Sequence, residues 1–333
     1  MNWNDIIGHS DIVAALKSML TAGIMPHALL FSGPAGIGKS LTARILAAGI
    51  LCAGSEGIRP CGACPSCMAC RRAGHPDLTV VQPEGTAIKI GQIRALKHFA
   101  ALSPALSQGR VCVIEDAELM TVQAANSLLK LLEEPPPHFY FILAASALES
   151  LLPTIISRCR ILKFSALPAG LLTDELVKRG FGQADAAVAS RLSGGRLGTA
   201  LALLEPDGLA RRDQAFQLVS SLSKSSKLEL WEWIAGWEGM GQRDMLDLLN
   251  YVIYILRDVL LLSLGNGRQL IYNVDLTDRL AALNGEWDED GLLAAIGVVR
   301  ETIRAITGNA NSRLAMEALF IKLKRLEKGE QAC

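Results

Sequence analysis

The stretch MPHALLFSGPAGIGKSLTARILAAGILC, residues 25–52, restricts the fold more than any other part of the chain. A short apolar run leads into a glycine-rich turn, and apolar residues at helical spacing follow. The turn, Gly33 to Ser40, has the pattern G-x-x-x-x-G-K-S. Glycines let a backbone wrap closely and point N–H groups at oxyanions. The start of the next helix adds unpaired donors and a favourable dipole. A strand, loop and helix in this order predict a phosphate cradle for ATP and Mg²⁺. Gly33, Gly36 and Gly38 are its expected backbone, Lys39 the group that reaches the β and γ phosphates, and Ser40 the metal-facing hydroxyl. Thr42 and Arg44, further along the helix, read as structural.

The same alternation continues. LTVVQP, RVCVIED and FYFILAAS read as strands, while IGQIRALKHFAALSP and TVQAANSLLKLLEE have helical periodicity. The second of these helices opens on Thr121 as a cap and stops at Pro135, Pro136 and Pro137. Strands alternating with helices predict an α/β domain with a parallel sheet covered on both faces. Beyond ILKFSAL the pattern becomes helical. The expected organisation is a nucleotide domain over 1–164, a small helical lid over 165–206 and an all-helical domain over 207–333. LELWEWIAGW reads as one of the last helices, with Trp231, Trp233 and Trp237 in a core or subunit interface.

Half of the 333 residues are apolar and 20% are charged, which fits a folded chain and excludes a disordered one. The 33 basic and 33 acidic residues cancel, so bulk charge does not drive nucleic-acid binding, although a local basic face remains open. MNWNDIIGHSDI lacks the pattern of a signal peptide. The run YVIYILRDVLLLSL contains Arg257 and Asp258, and its 14 residues read as a buried helix and not a membrane span. The cytoplasm is the expected compartment.

IEDAELM ends the third strand with Glu115 and then Asp116. In ATP-hydrolysing sites the first acid of such a pair holds Mg²⁺ and the second polarises the attacking water. An Asp-Glu order is usual there. The reversed order changes each reach by about 1.5 Å, one carbon–carbon bond, and a displacement near 1 Å costs a positioned reaction ~100-fold. Glu115 is expected to support the metal. Asp116 makes a short, poorly placed base and reads more readily as a helix-capping or surface carboxylate.

Five of the eight cysteines crowd into LCAGSEGIRPCGACPSCMAC. Without a secretion signal, this spacing suggests metal before disulfides. Cys52, Cys61, Cys64 and Cys67 are the expected ligands of a closed structural zinc site, with Cys70 as an alternative to Cys67. Cys112, inside a strand, reads as a small hydrophobe. Ser146, at the end of FYFILAAS, has a hydroxyl where a strand end meets phosphate, or is a simple strand-end cap. Arg158 in SRC has a planar fork suited to phosphate, either on a neighbouring subunit's nucleotide or in a surface salt bridge. Arg196 in SGGRLGTA stands near a helix start and is a candidate contact to the γ phosphate.

GPAGIGKS, the cysteine excursion, HPDL, IEDAELM, NSLLKLLEEPP, ILAAS and SRC occur in the order seen in AAA+ clamp-loader subunits, and the chain resembles that family. The resemblance implies an AAA+ P-loop domain with a zinc-binding insertion at about residues 52–70, a helical lid and a helical collar for oligomerisation. It implies a DNA polymerase III complex that uses ATP to load a ring-shaped sliding clamp onto primed DNA, with gamma/tau and delta subunits as partners. By the same resemblance Glu115 and Asp116 are the acidic pair, Ser146 the first sensor and Arg196 the second. Arg158 becomes an arginine acting in trans, Cys52, Cys61, Cys64 and Cys67 the zinc ligands, and Ile7 and Gly8 the lining of the adenine side. His27 and His75 read as structural. The reversed acids and the lack of an extension past the collar favour an accessory subunit with weak or absent turnover over the gamma/tau-type motor ATPase.

Overall fold

A computed structural model describes residues 2–54, 59–222, 240–265, 267–308 and 310–327. The segment holding Trp231, Trp233 and Trp237 lies outside the described residues. The chain divides into two compact units, Met1–Leu171 with Gly194–Gly198, and Leu172–Ser193 with Thr199–Cys333.

The first unit is built on a five-stranded parallel sheet. Its strands are β1 (Ala28–Ser32), β2 (Leu78–Val81), β3 (Arg110–Ile114), β4 (Phe139–Ala145) and β5 (Arg160–Lys163), in the order β2-β3-β4-β1-β5. Strands β1 and β3 are buried at every position, and β4 at all but Tyr140, because helices cover both faces and leave no polar side for alternation. In register, Ser32 stands beside Ala145, and Ile114 beside Leu143, so the carboxyl ends of the three central strands open together. Strand β5 extends the sheet beyond the four strands its apolar runs predict. Its sequence RILK exposes both ends, which hides it from a search for buried runs.

Helices α1 (Ser10–Ala22), α2 (Lys39–Ile50), α3 (Pro65–Arg71), α4 (Ile90–Ala101), α5 (Val122–Glu133) and α6 (Pro153–Ile156) complete this unit. The Thr121 hydroxyl caps α5 by accepting the Ala124 N–H, and Ala124, Ala125, Leu128 and Leu132 form its buried face. One core lies on each side of the sheet. One gathers α4 and α5 under Cys112, Ile114, Phe141 and Leu143, and the other packs α2 under Leu29, Phe31, Val113 and Ile142.

The boundary between the units falls inside α7 (Ala169–Lys178), and α8 (Gln183–Leu192) and α9 (Leu197–Leu203) follow. The rest of the second unit is helical among the described residues, with α10 (Ala210–Ser221), α11 (Gln242–Ser263), α12 (Thr277–Ala281), α13 (Glu289–Thr307) and α14 (Ser312–Glu327). Met245, Leu248, Leu249, Val252, Ile255, Leu256 and Val259 make the inner face of α11 and the centre of one apolar core. Asp258 is fully buried on that helix, where its carboxylate accepts the backbone N–H groups of Tyr272 and Asn273 and pairs with Arg257. Among the described residues no helix is long and apolar enough to cross a membrane.

Candidate functional site

The loop between β1 and α2 turns on three glycines with positive φ, Gly33 at 149°, Gly36 at 77° and Gly38 at 105°. A Cβ added at Gly38 would meet no atom within 4 Å, so the loop surrounds open space there. At Gly33 a Cβ would run into the Phe164 carbonyl, which forbids any other residue. This glycine-walled hollow at the start of a helix fits a polyphosphate. Ser40 is half-buried in the first turn of α2.

Lys39 is 6% exposed and bends over the loop. Its Nζ donates to the carbonyls of Gly33 at 2.6 Å and Pro34 at 2.8 Å, and to Ser146 Oγ at 3.1 Å. Burial lowers the Lys39 pKa, and the charges of Glu118 and Asp116 oppose the shift. The loop lysine and the hydroxyl at the end of β4 therefore meet, as parallel β1 and β4 require.

The acidic pair separates into two environments. Glu115 is 8% exposed, and both its oxygens are engaged. Oε1 accepts from Arg44 Nε at 2.8 Å, and Oε2 from Gln82 Nε2 at 2.6 Å. Asp116 is exposed and has a left-handed backbone, φ 48° and ψ 50°. Burial of its carboxyl, then the Glu118 and Glu115 charges, raise its pKa against the pull of Lys39. Glu118 is absent from the sequence-derived set, yet its Oε1 accepts the Ser146 N–H at 2.9 Å. A third acid two residues after a pair carries no mark of that role in sequence. Arg44, which reads from sequence as merely structural, is the ion partner of Glu115.

Two more segments reach the loop. Gly198 donates its N–H to the Gly36 carbonyl at 2.9 Å, which ties the Gly194–Gly198 stretch to the cradle. Arg196 lies within that stretch, half-buried, just before α9. Gly8 has φ +67°, and a Cβ there would collide with Leu167. Beside it, the His9 ring meets Phe164 edge-on at 4.8 Å and hydrogen-bonds the Ile37 backbone, so Ile7 and Gly8 are anchored at the base of the loop.

Arg158 follows α6 with its side chain 35% exposed. Its Nη2 pairs with Glu133 Oε1 at 2.8 Å, and Nη1 donates to the Thr154 carbonyl at 2.9 Å and to Ser157 Oγ at 3.4 Å. These partners belong to α5, to α6 and to the residue that caps α6, apart from the loop contacts.

The sulfur atoms of Cys52, Cys61, Cys64 and Cys67 all lie within 4.8 Å of one another. Cys52 and Cys64 are separated by 3.9 Å, and Cys61 and Cys67 by 4.0 Å. Backbone N–H groups of Gly54 and Cys61 point at Cys52 Sγ, that of Cys64 at Cys61 Sγ, and that of Cys67 at Cys64 Sγ. Burial works against ionisation of Cys64, but backbone and thiol hydrogen bonds outweigh it and bring its pKa to about 6. Cys70 is buried outside this group, and burial pushes its thiol up to about 11. Four thiols so arranged are able to hold a metal ion.

Comparison with known proteins gives the arrangement its context. A family profile described as "DNA polymerase III, delta subunit" matches residues 8–168. The delta' subunit of DNA polymerase III from Bacillus subtilis (strain 168) is 31% identical over 319 residues, spanning 94% of this chain and 95% of that protein. The chain belongs to the AAA+ clamp-loader family. Within this family, the delta' subunit of Escherichia coli (strain K12) is 29% identical over 315 residues, 93% of this chain and 92% of its own. The gamma/tau subunit of Mycobacterium tuberculosis (strain ATCC 25618 / H37Rv) is 38% identical, but over 165 residues, 49% of this chain and 28% of that clamp-loader protein. A crystal structure of a DNA polymerase III gamma subunit-related protein from Thermotoga maritima shares the fold, with a TM-score of 0.55, 18% identity, and coverage of 93% of this chain and 99% of its own.

Proposed function

We propose that this chain is an accessory clamp-loader subunit that assists ATP-driven placement of a sliding clamp on primed DNA, and that Arg158 acts on the ATP of a neighbouring subunit. One observation carries the reading: Arg44 and Gln82 occupy both oxygens of Glu115, while Arg158 stands at the surface. The carboxylate expected to support the metal is neutralised by an arginine, and the guanidinium suited to phosphate faces outward. End-to-end similarity to delta' proteins supports the same choice. The expected partners are gamma/tau and delta subunits, and the expected compartment is the cytoplasm.

The chain's own pocket is assigned to ATP with Mg²⁺, bound but turned over slowly. Gly33, Gly36 and Gly38 shape the cradle, Lys39 exchanges its loop carbonyls for phosphate oxygens, and Ser40 faces the metal. Ile7 and Gly8 border the adenine side, and Ser146 and Arg196 complete the pocket as sensors. Asp116, one methylene short and with its pKa raised by burial and by its acidic neighbours, makes a poorly placed base for water. Zinc is the metal assigned to the cysteines. Four Zn–S bonds of about 2.3 Å in a tetrahedron put the sulfurs about 3.8 Å apart, and the Cys52–Cys64 and Cys61–Cys67 separations, 3.9 and 4.0 Å, fit that spacing. It acts as a staple with no part in the chemistry.

The test is Arg158→Ala in a reconstituted loader. Fingers in trans contribute about 10³ to 10⁵ in rate, so DNA-stimulated hydrolysis by the partner is expected to drop at least about tenfold. Unchanged partner turnover and clamp loading would sink the assignment. ATPase activity of the purified chain, with Lys39→Ala as control, separates this reading from a gamma/tau-type motor, which would hydrolyse ATP alone at about 1 s⁻¹ or faster.

A further inference from the structure

The turn after β3 does something that the order of its acids does not announce. Asp116 adopts the left-handed conformation, and a short 3₁₀ turn, Ala117–Leu119, follows at once. The chain reverses, closed by the Leu119 N–H to the Asp116 carbonyl at 2.9 Å. This reversal carries Glu118 back to the end of β4, where Oε1 accepts the Ser146 N–H at 2.9 Å. Ser146 Oγ in turn receives Lys39 Nζ at 3.1 Å. Glu118 Oε2 is buried and has no hydrogen-bond partner among the described residues.

We propose that Glu118 is the positioning carboxylate of the nucleotide pocket, pinning Ser146 and supplying the acidic charge beside Lys39 that Glu115 has given up to Arg44 and Gln82. The inference rests on the reading that this pocket binds ATP with Mg²⁺. Electrostatics agree with the geometry: among the acids acting on Lys39, Glu118 weighs more than Asp116, and Glu118 also outweighs Glu115 in its effect on Asp116. A buried carboxylate oxygen without a donor is costly. Were Mg²⁺ bound with the nucleotide, Glu118 would offer this oxygen to a water carried by the ion, and the ion would supply positive charge to the phosphates.

Two variants separate pinning from charge. Glu118→Gln retains an oxygen for the Ser146 N–H and loses the charge, whereas Glu118→Ala loses both. The purified full chain is titrated with a fluorescent ATP analogue, once with Mg²⁺ and once with EDTA. A charge-assisted contact of this kind corresponds to about tenfold or more. Glu118→Gln is therefore expected to lose about tenfold of the affinity gained from Mg²⁺ and to keep the affinity measured in EDTA. Glu118→Ala is expected to weaken both. Hydrogen exchange at the Ser146 amide, read without nucleotide, should speed up in Glu118→Ala and not in Glu118→Gln. Glu115→Gln should lose less of the Mg²⁺ gain than Glu118→Gln. A wild-type Mg²⁺ gain in Glu118→Gln, or a larger loss in Glu115→Gln, overturns the proposal. Absence of binding by the wild-type chain overturns the nucleotide reading itself, and is seen before any variant is compared.

Discussion

His75 is 4% exposed and joins three parts of the first unit. Its Nδ1 accepts the Asp77 N–H at 3.0 Å, which leaves the proton on Nε2, facing Ser66 Oγ at 2.8 Å and Ser107 Oγ at 3.2 Å. Both serines donate to the Leu51 carbonyl at the end of α2. A second proton on the ring would set one donor against another. Burial accordingly lowers the His75 pKa, with the Asp77 charge opposing. Asp77 stays ionised despite its own burial, because the N–H groups of Ala105, Leu106 and Ser107 and the Arg110 charge lower its pKa. A lowered pKa in the folded chain means that the unfolded chain binds the proton first. The His75 contribution is complete above the unfolded value of about 6.5 and is lost as pH falls from there through the folded value. Denaturant titrations between about pH 7.5 and 5 should give a shallower loss of stability for His75→Gln than for the natural chain. His9, also lowered by burial, titrates in both chains, so the difference isolates His75. Equal slopes would rule out the linkage.

At the scale of elements, much was legible because burial is written into runs of residues. ALLFS, RVCVI and FYFILAA are apolar almost throughout, and the sheet buries them in the same way. Thr121 and the three prolines mark the ends of α5 from sequence alone. RILK was not legible, since a four-residue edge strand with exposed ends leaves little apolar signature. Glu118 was not legible either. Its position depends on one left-handed residue, and its partner Ser146 lies 28 positions away, across the sheet. Spacing favours Cys67 over Cys70 as the fourth thiol, and Cys67 lies with the other three sulfurs. Metal analysis tests this directly: Cys67→Ser is expected to lose bound zinc, and Cys70→Ser to retain it. Chelation should lower the melting temperature of the natural chain, since structural zinc contributes to folding free energy. Zinc retained by Cys67→Ser and lost by Cys70→Ser would reverse the ligand assignment.

At the scale of the molecule, the chain combines a unit built on a parallel sheet with a helical unit that has its own core around α11. The clamp-loader family explains why both are present, and in the proposed function it is the surface around Arg158 that meets a neighbour. Arg158 and Glu133 form an ion pair at 2.8 Å, both partly exposed. Exposed pairs of this kind are worth ~0–1 kcal/mol, so in the proposed function a triphosphate would displace Glu133 with little resistance. From beyond a Debye length of about 8 Å at physiological salt, such a pair presents a dipole and hardly any net charge. An approaching subunit is therefore not drawn to Arg158 from afar. Its selectivity acts only on contact, when a denser anion outbids Glu133. Glu133→Gln would turn the arginine into a beacon: association with the partner should become faster and more salt-sensitive in stopped-flow measurements, and unaltered salt dependence would refute this. In the proposed function the pairing would thus work as a filter against loose electrostatic encounters, leaving the arginine responsive to a correctly seated nucleotide and quiet toward other anionic surfaces.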